Sequence, residues 1–161
     1  MQELEKQFII LTGIPGSGKT FYAQHLQREY SFKVIEADDN VSLIGWMVAG
    51  SYDRDFVPSC LAGSPLVAVE WGFRPDLYEE HVLALKKQGA KLVWFTGDEA
   101  IVYPAYFKEK KGALGALEAR KLQMWRINQY RLPTQEYRTV ETTRGSEFKP
   151  SKELDEYVIM R

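Results

Sequence analysis

The sequence predicts an α/β protein built on a doubly wound parallel sheet, and three observations predict it. Short apolar runs at Phe8-Ile9-Ile10-Leu11, Val34-Ile35, Leu66-Val67-Ala68-Val69 and Leu92-Val93-Trp94-Phe95 have the length of strands buried on both faces. Helix-like segments separate most of these runs, the alternation expected of βαβ crossovers. The first run leads directly into Gly13-Ile14-Pro15-Gly16-Ser17-Gly18-Lys19-Thr20, a glycine-rich turn opening a helix. In such a sheet ligands bind beyond the carboxyl ends of the strands, so the residues just after each apolar run are the candidates for chemistry.

In chain order, the glycine-rich turn is followed by a helix-compatible stretch from Phe21 to Tyr30. The second run ends in Ala37-Asp38-Asp39-Asn40, and the third in Glu70-Trp71-Gly72. A helix is then marked by Asp76 as a cap with Glu79 reaching back, by apolar spacing through Val82, Leu83 and Leu85, and by Gly89 as a stop after Lys86-Lys87. The fourth run ends in Thr96-Gly97-Asp98, and a weaker fifth strand reads from Tyr137 to Val140.

A chain of 161 residues is the size of one domain, 1–161, and can bury a continuous core without a disulfide or metal staple. With 45% hydrophobic and 27% charged residues it is neither disordered nor a fibre repeat. The single Cys60 permits no intrachain disulfide and no metal cluster. The polar start and the brevity of the first apolar run leave no signal segment or membrane span, so a soluble cytoplasmic protein without membrane partners is expected, as a monomer or small homo-oligomer.

The turn after the first strand matches G-x-x-x-x-G-K-[ST] in full. Glycines let successive backbone N–H groups converge on phosphate oxygens, and the helix N-terminus adds its positive dipole end. Gly13, Ile14, Pro15, Gly16, Ser17 and Gly18 supply that cradle, Lys19 a mobile cation for the outer phosphates, and Thr20 a hydroxyl for Mg²⁺, a hard cation that favours oxygen ligands. The motif does not separate a kinase from an ATPase.

Phosphoryl transfer to a hydroxyl also needs a carboxylate to orient the acceptor and take its proton. Asp38 is the candidate base, although Asp-Asp-Asn after a strand is also an ordinary turn sequence, and Asp39 reads that way more readily. Glu70 closes an apolar strand beside the phosphate loop, where a carboxylate has no packing use. It is the candidate to hold Mg²⁺ with Thr20 or to position the attacking oxygen.

The succession of a strand, GIPGSGKT, a helix, then strands ending in ADD, EWGF and FTGD resembles the P-loop kinase superfamily. The similarity lies with its small members, such as polynucleotide kinases, zeta-type toxins, and gluconate and shikimate kinases. That resemblance implies a three-layer fold with strand order 2-3-1-4-5, ATP as phosphoryl donor, Asp38 as the catalytic aspartate, and an arginine-bearing lid. It also implies that Thr142-Thr143-Arg144-Gly145, before a final helix near Ser151 to Met160, borders the adenine. The chain departs from the pattern in having Asn40-Val41 where Arg often follows Asp-Asp, Glu70 where Asp is usual, and no arginine from Gly97 to Phe107.

Between Lys108 and Arg131 seven basic residues face two acids, a net +5 on a chain whose total is −1. Such a stretch can neutralise charge on transferring phosphoryl oxygens, so a lid-like segment of about 103–131 is expected, with Arg120 and then Arg126 as its cations. A solvated helix face is the plain alternative for Lys108, Lys110 and Lys111. A nucleic-acid groove is a third, with Tyr103, Tyr106 and Phe107 nearby. On the acceptor side, segment 40–64 carries Trp46, Met47, Val48, Tyr52 and Phe56, which line a pocket or cover the sheet edge. Arg54 and Arg74 match an acidic or phosphorylated acceptor, or serve as surface ion-pair partners. His25 and His81 are expected to be structural or solvent facing.

Two functions fit this reading. One is a kinase that transfers the γ-phosphoryl of ATP to a hydroxyl on a small molecule, a nucleoside or a nucleic-acid end. The other is a P-loop ATPase or nucleotide-dependent switch that acts through a protein partner.

Overall fold

β1 (Gln7–Gly13) is buried along its whole length, as an apolar run in the middle of a parallel sheet must be. It pairs in parallel with β3 (Leu66–Glu70) on one side and β4 (Lys91–Thr96) on the other. β2 (Lys33–Glu36) adds to β3 and β5 (Arg138–Glu141) adds to β4, which gives the order β2-β3-β1-β4-β5 that the resemblance implied. β2 has two exposed and two half-buried side chains, and only Val140 of β5 is buried, which is why the fifth strand reads weakly in the sequence. The computed structural model describes residues 3–14, 16–37, 45, 49, 54–72, 75–110 and 136–160.

Among the described residues five helices cover the two faces. α2 (Phe56–Gly63), α3 (Pro75–Lys87) and α4 (Glu99–Lys110) bring Phe56, Val57, Val82, Leu85 and Val102 onto the face formed by Phe8, Ile10, Val67, Val69 and Trp94. α1 (Lys19–Tyr30) and α5 (Ser151–Val158) bring Tyr22, Ala23, Leu26, Leu154 and Val158 onto the other, formed by Ile9, Leu11, Val93, Phe95 and Val140. Odd and even positions of β1 thus feed different cores, as the two-residue period of a strand requires.

Three boundaries differ from the sequence reading. α3 begins at Pro75, so Asp76 falls inside its first turn; proline suits a first helical position because that N–H has no intrahelical partner to lose. Its end is where expected, with Gly89 N–H on Lys86 O at 2.9 Å and Ala90 N–H on Leu85 O at 3.2 Å. The final helix stops at Val158, short of Met160. The segment Thr142 to Gly145, expected as a loop, is partly strand: β6 (Thr143–Arg144) and β7 (Glu147–Phe148) form an antiparallel hairpin across Gly145-Ser146. A two-residue Gly-Ser connection favours that turn, because glycine supplies the positive φ, here 59°.

Among the described residues no helix is long and apolar enough to cross a membrane. Leu85 is fully buried between α3 and the sheet, on the face away from α1. Leu85→Ala is expected to cost about 2–5 kcal/mol of stability, read as a lower midpoint in urea unfolding.

Candidate functional site

The carboxyl ends of β1 and β3 converge on one point because of their register. Leu11 lies opposite Glu70, Trp71 N–H donates to Leu11 O at 3.0 Å, and the chain turns into the glycine-rich loop two residues later. The loop starts on the backbone of β4, with Ile14 N–H on Phe95 O at 3.1 Å. A Cβ on Gly13, whose φ is 132°, would fall 2.1 Å from that same carbonyl oxygen, so only glycine fits. Ser17 is fully buried, and its hydroxyl closes the turn by donating to Ile14 O at 2.7 Å.

Lys19 and Thr20 open α1. The Lys19 ammonium reaches back over the loop and donates to the carbonyls of Gly13 at 3.3 Å and Ile14 at 3.1 Å. The Thr20 hydroxyl donates to Oε1 of Glu70, a carboxylate nine-tenths removed from solvent at a strand end, where burial calls for hydrogen-bond partners. Gly18 precedes the helix in a left-handed conformation, and no side-chain hydrogen bond from it caps the first turn, so the positive end of α1 begins at the glycine-rich loop. A cation, a hydroxyl, a carboxylate and the positive end of a helix therefore meet at one mouth.

Two elements flank that mouth without any advance sign in the motif itself. α4 lies against the loop, where a Cβ on Gly16 would come within 2.4 Å of Val102 O and 2.7 Å of the Tyr106 Cβ. The β6–β7 hairpin sits on the other flank, with the Phe148 ring 3.9 Å from where a Cβ on Gly18 would be. The hairpin is fastened to the end of β4: Thr142 N–H donates to Thr96 O at 2.8 Å and Asp98 N–H to the Thr143 hydroxyl at 2.8 Å. Val102 and Tyr106, four apart on one helix face, carried the only sequence signal for the α4 contact.

Solved structures share this fold. A gluconokinase from Sinorhizobium meliloti 1021 superposes with a TM-score of 0.59 at 17% identity, covering 98% of this chain and 91% of its own. A sugar kinase from Janibacter sp. HTCC2649 gives 0.58 at 14% identity over 94% of this chain and 91% of its own. A shikimate kinase from Acinetobacter baumannii in complex with shikimate gives 0.54 at 17% identity over 92% and 88%. No protein-family model and no curated protein matches the sequence. The chain has the P-loop kinase fold.

Within the P-loop kinase fold the described residues bring together Gly13, Ile14, Gly16, Ser17, Gly18, Lys19, Thr20 and Glu70. Arg54 is exposed in the turn ahead of α2, whose first residues meet Phe8 near the start of β1 and Gln88 just past the end of α3, so the turn lies toward the amino-end side of the sheet and not at the loop mouth, against the expectation of an acceptor-side residue. Arg144 is an exposed residue of β6 and pairs with Glu153 of α5 at 2.6 Å. Lys108 is exposed on α4, and residues 103–110 of the lid-like segment belong to that helix. Pro15, Asp38, Asp39, Arg74, Arg120 and Arg126 lie outside the described residues. The described residue before Asp38 is Ala37, whose N–H donates to Glu70 O at 2.9 Å. Of the two histidines, His25 is buried and hydrogen-bonded, in keeping with a structural role.

The donor set suits Mg²⁺. Among the described residues no group of three or more histidine, cysteine or acidic side chains gathers around one point, whereas one hydroxyl and one carboxylate oxygen meet at the loop. Mg²⁺ in phosphate sites takes one or two protein oxygens and completes its shell with phosphate and water. Gly16→Ala, which forces a methyl group into α4 at a φ of 79°, is expected to weaken tripolyphosphate binding at least about tenfold, or 1.4 kcal/mol, in calorimetry. Gly63→Ala, which meets open space at the end of α2, should leave that binding unchanged.

Proposed function

We propose that this chain is an ATP-dependent phosphotransferase that moves the γ-phosphoryl group to a hydroxyl of a small molecule. The observation that carries the reading is the junction of Thr20 and Glu70 at the mouth of a loop already holding Lys19, within a sheet ordered as in the P-loop kinases. The superposed proteins are named for gluconate, sugar and shikimate, which supports a polyhydroxylated acceptor over a nucleoside or a nucleic-acid end.

In this proposal the loop amides from Gly13 to Thr20 bind and orient the triphosphate, and Lys19 leaves the loop carbonyls for the outer phosphate oxygens. Thr20 and Glu70 would hold Mg²⁺, which when bound neutralises charge on the transferring group. Asp38 takes the acceptor proton as the hydroxyl attacks, and Asp39 and Arg74 line the acceptor side. Arg120 and Arg126 close over the phosphates, and Arg144 borders the base from the hairpin. Catalysis of this kind is mostly positioning and charge stabilisation, so the residues that set geometry matter as much as the base.

The test is transfer of labelled phosphate from ATP to a panel of sugars, sugar acids and cyclic polyols. Asp38→Ala is expected to lower transfer about 10²–10⁴-fold with ATP binding retained. Transfer at wild-type rate in that variant would move the base elsewhere. ATP turnover that no acceptor stimulates, together with a protein partner held only in the ATP state, would replace the kinase reading with the switch. Glu70→Gln keeps the size of the side chain and removes its charge; it should weaken Mg²⁺-dependent ATP affinity while leaving metal-free ATP affinity near wild type.

A further inference from the structure

The face of the sheet opposite the acceptor side contains a polar cluster that phosphate binding does not use. Asp155, on α5, is 3% exposed, yet it sits in a core otherwise made of Leu26, Leu154, Val158 and Phe95. Its carboxylate accepts from three side chains, and all three belong to α1. The Tyr22 hydroxyl donates to Oδ1 at 2.9 Å, the Tyr30 hydroxyl to Oδ2 at 2.6 Å, and His25 Nε2 lies 2.9 and 3.1 Å from the two oxygens. The His25 ring is held between the tyrosines, with centroids 5.6 Å from Tyr22 and 5.8 Å from Tyr30.

Adhesion alone does not require this arrangement. The apolar contacts of Leu26 with Leu154 and Val158 already hold the two helices together, and an apolar side chain in place of a buried carboxylate is often neutral or stabilising. What three directional bonds add is a fixed rotation and axial position for α1, since their donors span positions 22 to 30 along one face. The hydrogen bond to Asp155 and burial push the Tyr30 hydroxyl up to about 12, and burial with the Asp155 charge pushes Tyr22 higher still, so both remain donors at any physiological pH.

α1 is the helix whose first two residues are Lys19 and Thr20, and Tyr22 is two residues further on, its N–H on Gly18 O at 3.0 Å. The Tyr22 ring packs edge-on against Phe95 at 5.4 Å, and Phe95 is the residue whose carbonyl anchors the loop through Ile14. One side chain on the last helix is thereby joined by direct contacts to both supports of the phosphate loop. We propose that Asp155 is a positioning residue for that loop: by holding Tyr22, His25 and Tyr30 it sets where α1 presents Lys19, Thr20 and the helix amides to bound phosphate. The proposal rests on phosphate binding at residues 13–20 and not on the identity of the acceptor or on transfer.

The experiment compares Asp155→Ala, Asp155→Asn and Tyr22→Phe with Leu85→Ala, which destabilises the opposite core without touching α1. Mg²⁺-ATP binding is measured by calorimetry at a temperature where circular dichroism shows each variant folded. Asp155→Ala is expected to raise the ATP Kd about tenfold or more, Asp155→Asn and Tyr22→Phe about two- to fourfold, and Leu85→Ala by less than twofold. A Kd for Asp155→Ala no weaker than that of Leu85→Ala overturns the proposal and leaves Asp155 a stability residue. If Asp155→Ala does not fold, the Asn and Phe variants decide by the same comparison. A second readout needs no nucleotide: amide hydrogen exchange at Gly18, Lys19 and Thr20 in the free protein should speed up at least about threefold in Asp155→Asn and not in Leu85→Ala. Unchanged exchange at those amides overturns the proposal even if ATP proves not to bind, an outcome that would count separately against the kinase reading.

Discussion

The register of β1 between its two neighbours is the constraint on which the site depends. Leu11 opposite Glu70 and Gly13 opposite Phe95 are backbone pairings, made before any functional side chain is considered. The first delivers a carboxylate to the mouth of the loop, and the second gives the loop a floor to turn on. A slip of one residue would reverse the faces of β1, sending Ile9 and Leu11 to the wrong core and carrying Glu70 away from Thr20. Because both cores are filled by alternate residues of the same strand, packing forbids the slip and the site inherits its precision from the core.

Much of this was legible in the sequence because it depends on short-range pattern. Apolar runs of strand length, the spacing of the glycines, and an acid closing the third run all survive as local signals, and each fell where the strands end. The five-strand order came from resemblance to a known pattern, since periodicity carries no information about which strands are neighbours. What could not be read is what depends on distant contact. The approach of α4 to Gly16 needs residues 86 apart, from 16 to 102, to touch through backbone atoms. The bond between Tyr22 and Asp155 spans 133 positions. Helical spacing puts Asp155 on one face with Leu154, Val158 and Ile159, but that spacing does not say which distant donors would satisfy a carboxylate buried there.

Charge follows the same division. The near-neutral total hides a segment of +5 between Lys108 and Arg131 set against an acidic remainder, and the buried carboxylates of Glu70 and Asp155 both accept from hydroxyl groups. Glu70 is met by a threonine hydroxyl, and Asp155 by two tyrosines and a histidine. The Lys19 ammonium and the amino end of α1 both bring positive charge to the loop. A polyanion approaching the carboxyl edge then meets one concentrated cationic locus.

The floor of the loop has a bearing on how the protein is made. Residue 13 leaves the ribosome ahead of the strand it rests on, since Phe95 is translated roughly eighty residues later, at about 5–20 residues per second. For those seconds the glycine-rich segment has no partner and cannot gather phosphate, however complete its own sequence is. Long-range parallel pairing is slow to close, and the central strand stays sticky until β4 arrives. Acquisition of ligand is therefore a late event in the life of the nascent chain, and a polyphosphate in the cell selects only molecules whose sheet has already closed.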